Sequence, residues 1–150
     1  MPAIFTALLI LFIDQLSKFI IVKNFLPGQT QPVIKNIFQI SFVCNKGIAF
    51  GIFSRSLNFP AVSIIYTCII IIVFILVFYK HFLYQRKTAR LSLALISAGA
   101  LGNLIDRIRF GCVIDFLDFR IWPVFNIADS AITIGATLLI LQIFKHKTKP

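Results

Sequence analysis

All five acidic residues of this 150-residue chain are aspartates: Asp14, Asp106, Asp115, Asp118 and Asp129, with no glutamate. Asp14, Asp106 and Asp129 fall in or beside long apolar stretches. An ionisable group at the centre of a membrane helix costs roughly 2.5–3.5 kcal/mol on insertion scales, so each calls for a function or a partner. Zinc hydrolysis of the H-E-x-x-H kind lacks its glutamate. Ser–His and Cys–His catalysis lack an imidazole, because the two histidines, His81 and His146, flank the opposite ends of apolar stretches from the polar groups. Carboxylate chemistry remains, and it needs neither cofactor nor metal. Two aspartates held close cannot both ionise. They share a proton, one activating water while the other donates a hydrogen bond to a carbonyl. Asp115 lies in Cys112-Val113-Ile114-Asp115-Phe116-Leu117 with no basic residue within four positions, a setting that favours its protonated form. Asp129, at the start of an apolar helix, has a setting that favours the anion.

Each candidate also has an ordinary structural reading. Asp14 and Lys18 are four apart and can neutralise each other on one helix face. Asp106 and Arg107 stand near a helix end, where an arginine commonly snorkels to water. Asn126 followed by Asp129 fits an N-cap with an acid at the third helical position. If the segment around Asp115 is extended, Asp118 projects from the opposite face and reads as a solvated or headgroup-facing residue.

The elements that must position these groups follow from composition. The chain is 59% apolar and 13% charged, with mean hydropathy +0.93, far from a soluble domain. Four stretches are long enough to span a bilayer: about 3–22, 60–79, 89–108 and 124–144. The first lacks the basic start and cleavage site of a secretory signal and reads as a retained span. The run Ser97-Ala98-Gly99-Ala100-Leu101-Gly102 predicts close helix approach. The expected fold is an all-α polytopic membrane protein over 1–150, with four transmembrane helices and a small β-sheet on the non-cytoplasmic side.

Fifteen basic residues against five acids would suggest nucleic acid in a soluble protein; on this background they mark topology instead. Segments 80–90 and 145–150 hold seven Lys and Arg in 17 residues, whereas 23–59 and 107–123 hold seven in 54. The denser side is expected to be cytoplasmic, with both termini inside. Asp14, Lys18, Asn103, Asp106, Arg107, Asp115, Asn126 and Asp129 then all converge on the outer leaflet. An outer β element is expected over about 33–53: Phe38, Ile40 and Phe42 alternate with Gln39, Ser41 and Val43, Asn45-Lys46-Gly47 offers a turn, and 48–53 could return as a strand. Cys44, Cys68 and Cys112 form no disulfide framework, and a Cys44–Cys112 bond is open only if both face an oxidising compartment. A competing class is a proton-coupled carrier or ion-pathway subunit. It requires polar residues continuing to the cytoplasmic side, and none carries charge in 60–79.

Five segments together carry a resemblance: Asp14-Gln15-Leu16-Ser17-Lys18, Asn45-Lys46-Gly47-Ile48-Ala49-Phe50-Gly51, Gly102-Asn103-Leu104-Ile105-Asp106-Arg107, Gly111-Cys112-Val113-Ile114-Asp115-Phe116 and Phe125-Asn126-Ile127-Ala128-Asp129-Ser130. In this order, on a four-span frame, they resemble the motifs of the lipoprotein signal peptidases (signal peptidase II). The resemblance implies an aspartic endopeptidase of the bacterial cytoplasmic membrane that removes signal peptides from diacylglyceryl-modified prolipoproteins. Asp115 and Asp129 match the family's catalytic pair. Asn45, Gly47, Asn103, Arg107 and Asn126 match residues that line the site or hold substrate, and Asp14, Lys18 and Asp106 its supporting network. The implied partners are lipid-modified prolipoproteins and membrane lipids, with no nucleic acid, and the enzyme is expected to be a monomer. Ala98-Gly99 departs from a common glycine pair and Trp122-Pro123 from a usual Phe-Pro, departures that bear on substrate preference rather than on the pair.

Overall fold

A computed structural model describes residues 2–46 and 87–147. The expected second span at 60–79, the candidate return strand at 48–53, and Gly47 lie outside them. In chain order the described elements are helix α1 (Pro2–Asn24), strands β1 (Thr30–Ile34) and β2 (Phe38–Asn45), helix α2 (Lys87–Phe110), strand β3 (Val113–Asp118) and helix α3 (Ile127–Lys147). The three helices coincide with the expected first, third and fourth apolar stretches, with ends shifted by one to three residues. Two of them, α1 and α2, are long and apolar enough to cross a membrane, and α3 adds a shorter apolar run over Ile127–Gln142.

The outward face of α1 carries Phe5, Leu8, Phe12 and Phe19, all exposed. In water such a stripe would be a large uncovered apolar patch; against lipid it is an ordinary contact surface. Its inward face carries Asp14, Lys18 and Ile21, all buried. The helices meet through small residues, as the run at 97–102 predicts. A methyl group added at Gly99 would collide with the Ala128 carbonyl oxygen, and one at Gly102 would lie 2.5 Å from Asp14 Oδ2. Glycine therefore sets how closely α2 approaches both α3 and α1.

The sheet has order β1-β2-β3, antiparallel throughout. Both edges of β2 are thus occupied, one by its predecessor and one by a strand from the far side of α2. β1 is an exposed edge whose Pro32 offers no N–H to a further strand. Gly111, at φ 70°, ends α2 and turns the chain into β3. After β3, residues 119–124 double back and Phe125 rejoins the strand: Leu117 N–H donates to Phe125 O at 2.8 Å, and Phe125 N–H donates to Leu117 O at 3.1 Å. Phe119 stacks on Phe125 with ring centroids 5.9 Å apart, closing this return. Asn126 therefore begins α3 directly beside Asp115.

Two expectations are corrected here. Cys44 and Cys112 form a disulfide, with Cα atoms 5.5 Å apart across 68 residues of sequence. They look isolated in sequence, yet antiparallel pairing of β2 with β3 sets Cys44 opposite Ile114 and so makes Cys112, two residues before Ile114, its diagonal neighbour across the Asn45–Val113 pair. Asp118 does lie on a different side from Asp115, but it is half-buried and engaged rather than simply solvated. It accepts bonds from Gln39 Nε2 at 2.6 Å, Ser41 Oγ at 2.9 Å and the Arg120 amide at 2.8 Å. The Gln39 bond foremost, with those from Arg120 and Ser41, holds its carboxyl below the usual carboxylate range despite partial desolvation.

Candidate active site

Lys18 is 2% exposed and reaches two carboxylates at once, Asp14 Oδ2 at 2.9 Å and Asp106 Oδ2 at 2.8 Å. The i, i+4 pair expected within α1 is thus half of a triad that spans α1 and α2. Asp14 Oδ1 also accepts the Ala128 amide at 2.9 Å, supplying one of the N–H groups left open at the start of α3. Asp106 Oδ2 accepts the Ile114 amide at 3.1 Å, which docks β3 onto α2. Gln15, which sequence reasoning passed over, donates from Nε2 to Asp106 Oδ1 at 3.1 Å and to the Gly102 carbonyl at 3.2 Å. Its signal was available: an uncharged polar residue next to Asp14 inside an apolar run.

Two asparagines carry the network onward. Asn103 Oδ1 accepts from Lys18 Nζ at 3.1 Å and from Asn126 Nδ2 at 3.2 Å, which leaves Asn103 Nδ2 to donate to Asp129 Oδ1 at 2.8 Å. The lysine thereby fixes the orientation of the Asn103 amide. Asn126 caps α3 as its sequence position predicts, its Oδ1 accepting the Asp129 amide at 2.9 Å. Its Nδ2 donates to Asp115 Oδ1 at 2.7 Å. The other Asp115 oxygen accepts from Asn45 Nδ2 at 2.9 Å. Asn45 faces Val113 in the ladder and Asp115 faces Val43, so Asn45 and Asp115 are diagonal neighbours on one face of the sheet.

These bonds surround a cavity of about 400 Å³ lined by Asn45, Asn103, Arg107, Asp115 and Asp129 among its polar groups, and by Val113, Trp122, Val124, Phe125, Ile132 and Ile134 among its apolar ones. Ser130 and Thr133 also line it; their positions one and four residues after Asp129 put them on its flank of the helix. The expected snorkelling of Arg107 does not occur. The residue is 7% exposed, donates to the Asn103 carbonyl at 3.3 Å, and sits within the fields of Asp129, Asp115 and Asp106. The three aspartates offset part of the cost of taking this guanidinium out of water.

Asp115 is 2% exposed. Burial, and after it the charge of Asp129, pushes its carboxyl up to about 7, against the opposing bonds from Asn45 and Asn126 and the charge of Lys18. Of the ten residues singled out from sequence, nine meet in this one connected region and Gly47 lies outside the described residues. Among the described residues, no group of three or more His, Cys, Asp or Glu is arranged to hold a metal ion.

Among the described residues, apolar helices gathered beside a small sheet, with two aspartates lining one partly open polar cavity, define a helical protein with a reaction-sized site. The comparisons carry this further. The family model for Signal peptidase (SPase) II matches residues 6–145. A lipoprotein signal peptidase from Moorella thermoacetica is 48% identical over 144 residues, covering 95% of this chain and 93% of that protein. One from Halothermothrix orenii is 42% identical, with 93% of each chain covered. A solved structure described as a bacterial membrane enzyme superposes with a TM-score of 0.86 at 35% identity, covering 98% of this chain and 90% of its own. The chain belongs to the signal peptidase II family, the lipoprotein signal peptidases, and is a bacterial membrane peptidase by that membership.

Proposed function

We propose that this protein is an aspartic endopeptidase that removes signal peptides from diacylglyceryl-modified prolipoproteins, cutting on the N-terminal side of the lipidated cysteine, with Asp115 and Asp129 as its catalytic residues. The observation that carries this reading is the cavity itself. Two carboxylates from different elements line it, Asp129 held by Asn103 and Asp115 by Asn126 and Asn45, and an apolar wall of Trp122, Val124, Ile132 and Ile134 faces them. A hydrophobic signal segment suits that wall, and a water between the carboxyls suits the pair.

The pair carries one proton and titrates as a unit. Asp115, in the drier position, holds the proton and donates it to the scissile carbonyl oxygen. Asp129 accepts a proton from the attacking water, whose oxygen bonds to the carbonyl carbon. Collapse of the tetrahedral intermediate breaks the C–N bond: the proton held by Asp129 passes to the departing amine, and Asp115 takes back a proton from a hydroxyl of the gem-diol, leaving the carboxylic acid and the pair with its one proton. Asn103 and Asn126 keep the carboxyl planes fixed during this exchange, and Lys18, bonded to Asn103, holds that amide in the donating orientation. Asn45, Gly47 and Arg107 belong on the substrate side of the cavity; Asp14 and Asp106 support it from behind.

The same proposal places the chain as a single four-span domain in the bacterial cytoplasmic membrane, a monomer with both termini cytoplasmic and the sheet and cavity at the outer leaflet. The concentration of Lys and Arg in 80–90 and 145–150 supports this orientation. A substrate anchored by an apolar helix and two acyl chains arrives through lipid, and its cleavage point lies at that level. A proton-carrier reading gains nothing from α3, where Gln142 is the sole polar residue between Thr137 and Lys145.

The test is a gel-shift assay in detergent with a diacylglyceryl-modified prolipoprotein and its unlipidated twin. Wild type is expected to cut only the lipidated form, and Asp115→Asn and Asp129→Asn each to lose about 10³-fold or more in rate, within the range for positioned acid–base groups. Normal cleavage by both variants would remove the pair from the mechanism.

A further inference from the structure

The Cys44–Cys112 disulfide takes no part in the network described so far, yet it adjoins it. Asn45, the residue after Cys44, is the last residue of β2 and pairs with Val113, the first of β3 and the residue after Cys112. Cys44 faces Ile114, one step inside that pair, and Cys112 lies one step beyond it, so the bond ties the two strands diagonally across the pairing that carries Asn45. Strand ends fray unless something holds them, and here a fraying end would remove the Asn45 Nδ2 bond to Asp115 Oδ2. The two residues also sit in unlike surroundings. Cys112 is buried against Ile21, Phe42, Ile114 and Phe116, whereas Cys44 is exposed.

We propose that Cys44 and Cys112 are a positioning pair for the reaction: their disulfide holds Asn45 on Asp115, and its reduction by a thiol reductant impairs catalysis without dismantling the fold. This rests on the reading of Asp115 as a catalytic residue. The chemistry is ordinary exchange. A thiolate of a dithiol reductant attacks the sulfur of Cys44, the more exposed of the two residues, the S–S bond breaks, and Cys112 leaves as a thiolate that takes up a proton. The second thiolate of the reductant then displaces Cys44, which is also protonated, and the reductant closes to its own cyclic disulfide. Two electrons have passed to the protein.

The consequence at Asp115 has a definite sign. The Asn45 bond favours the anion, so its loss lets Asp115 keep its proton to higher pH. The other groups that act on Asp115 are held independently: Asn126 and Asp129 by α3, Lys18 by its triad, Arg107 by α2. Reducing a disulfide that served stability alone would lower the melting temperature and leave this titration where it is.

The experiment uses full-length protein in detergent. Thiols are first trapped by alkylation as the membranes are opened; one modified cysteine, Cys68, is expected before reduction and three after. Oxidised and dithiothreitol-reduced, alkylated enzyme are then compared for kcat and KM on the lipidated prolipoprotein across pH, and for the Asp115 carboxyl titration by 13C NMR. Reduction is expected to lower kcat about tenfold with KM within about twofold, and to move both the alkaline limb of activity and the carboxyl titration upward. Cys44→Ser/Cys112→Ser should behave like the reduced enzyme and ignore dithiothreitol. Three modified cysteines before reduction, or an Asp115 titration unmoved by reduction, overturns the proposal. The titration is read without substrate, so it decides this inference even if oxidised wild type fails to cut the prolipoprotein, a failure that would count against the peptidase assignment instead.

Discussion

Asp14 and Asp106 share a lysine, whereas Asp115 and Asp129 share a cavity, and the contrast between these neighbouring pairs explains how a small protein keeps four acids in an apolar setting. Around Lys18 each carboxylate is satisfied twice over, by the ammonium and by a backbone amide: Ala128 N–H for Asp14 and Ile114 N–H for Asp106. Those two amides belong to α3 and β3, so the triad is what brings the elements bearing Asp115 and Asp129 onto α1 and α2. At the cavity, neutral asparagines supply hydrogen bonds, Asn103 to Asp129 and Asn45 and Asn126 to Asp115, and Lys18 and Arg107 add their charge. Paired charges hold the structure; acids partnered by amides are left able to exchange protons.

Breaking the comparison at the cavity should cost activity and spare the fold. In Asp115→Asn and Asp129→Asn, whose rates are expected to fall by about 10³-fold, thermal stability should be unchanged or slightly raised, because a like charge in a desolvated site has been removed. A matching loss of stability, seen by thermal unfolding in detergent, would mean the cavity acids hold the fold as the triad does.

Breaking it at the triad should do the reverse. Lys18→Met keeps the length of the side chain but strands two buried carboxylates. Removing one partner of a buried ion pair costs about 3–5 kcal/mol, so this variant is expected to unfold early or fail to accumulate. Adding Asp14→Asn to Lys18→Met should recover part of that stability, whereas adding Asp129→Asn should recover little. Equal recovery from both would erase the distinction between the two regions.

Gly102→Ala tests the same boundary more gently. Its methyl would lie 2.5 Å from Asp14 Oδ2, so α1 must shift or Asp14 must turn from Lys18 or from the Ala128 amide. Overpacking of this size costs roughly 1–3 kcal/mol, and the loss should be visible as a lower melting temperature. Because Asp14 caps α3, a fall in kcat should accompany it; full activity would show that the position of Asp129 does not depend on Asp14.

The acids, the two asparagines and Lys18 were legible in the chain because polar groups are so expensive in apolar helices that each stands out against its neighbours. Asn126 and Asp129 could be read further, to a cap, since capping is decided within four residues. What stayed hidden depended on long-range pairing. The order β1-β2-β3 puts a strand from beyond α2 against β2, and no local pattern at 38–45 distinguishes that partner from a return strand at 48–53. The disulfide follows from the same register, and so does the engagement of Asp118 by Gln39 and Ser41. For Arg107 the sequence left both snorkelling and a place in the site open; its burial in the cavity lining excludes the first, and that burial depends on packing no local pattern shows.

The smallest expected effect is also the most direct reading of how the cavity acids sense each other. Asp115 sits at about 7 against an ordinary 3.8, so the folded protein holds this proton where the unfolded chain has lost it. Stability from this group is therefore greatest below about pH 4, declines as pH rises toward 7, and levels off above. Activity should fall as pH climbs through about 7, because the pair then loses the proton it donates to the substrate carbonyl. Burial is the larger cause of the shift and the charge of Asp129 the next. In Asp129→Asn the Asp115 titration, followed by 13C NMR of its carboxyl, should therefore move down while staying above the ordinary value. A return to 3.8 would mean that the like charge, not desolvation, dominates the site. No movement at all would mean that the two carboxyls do not feel one another, and a shared proton requires that they do.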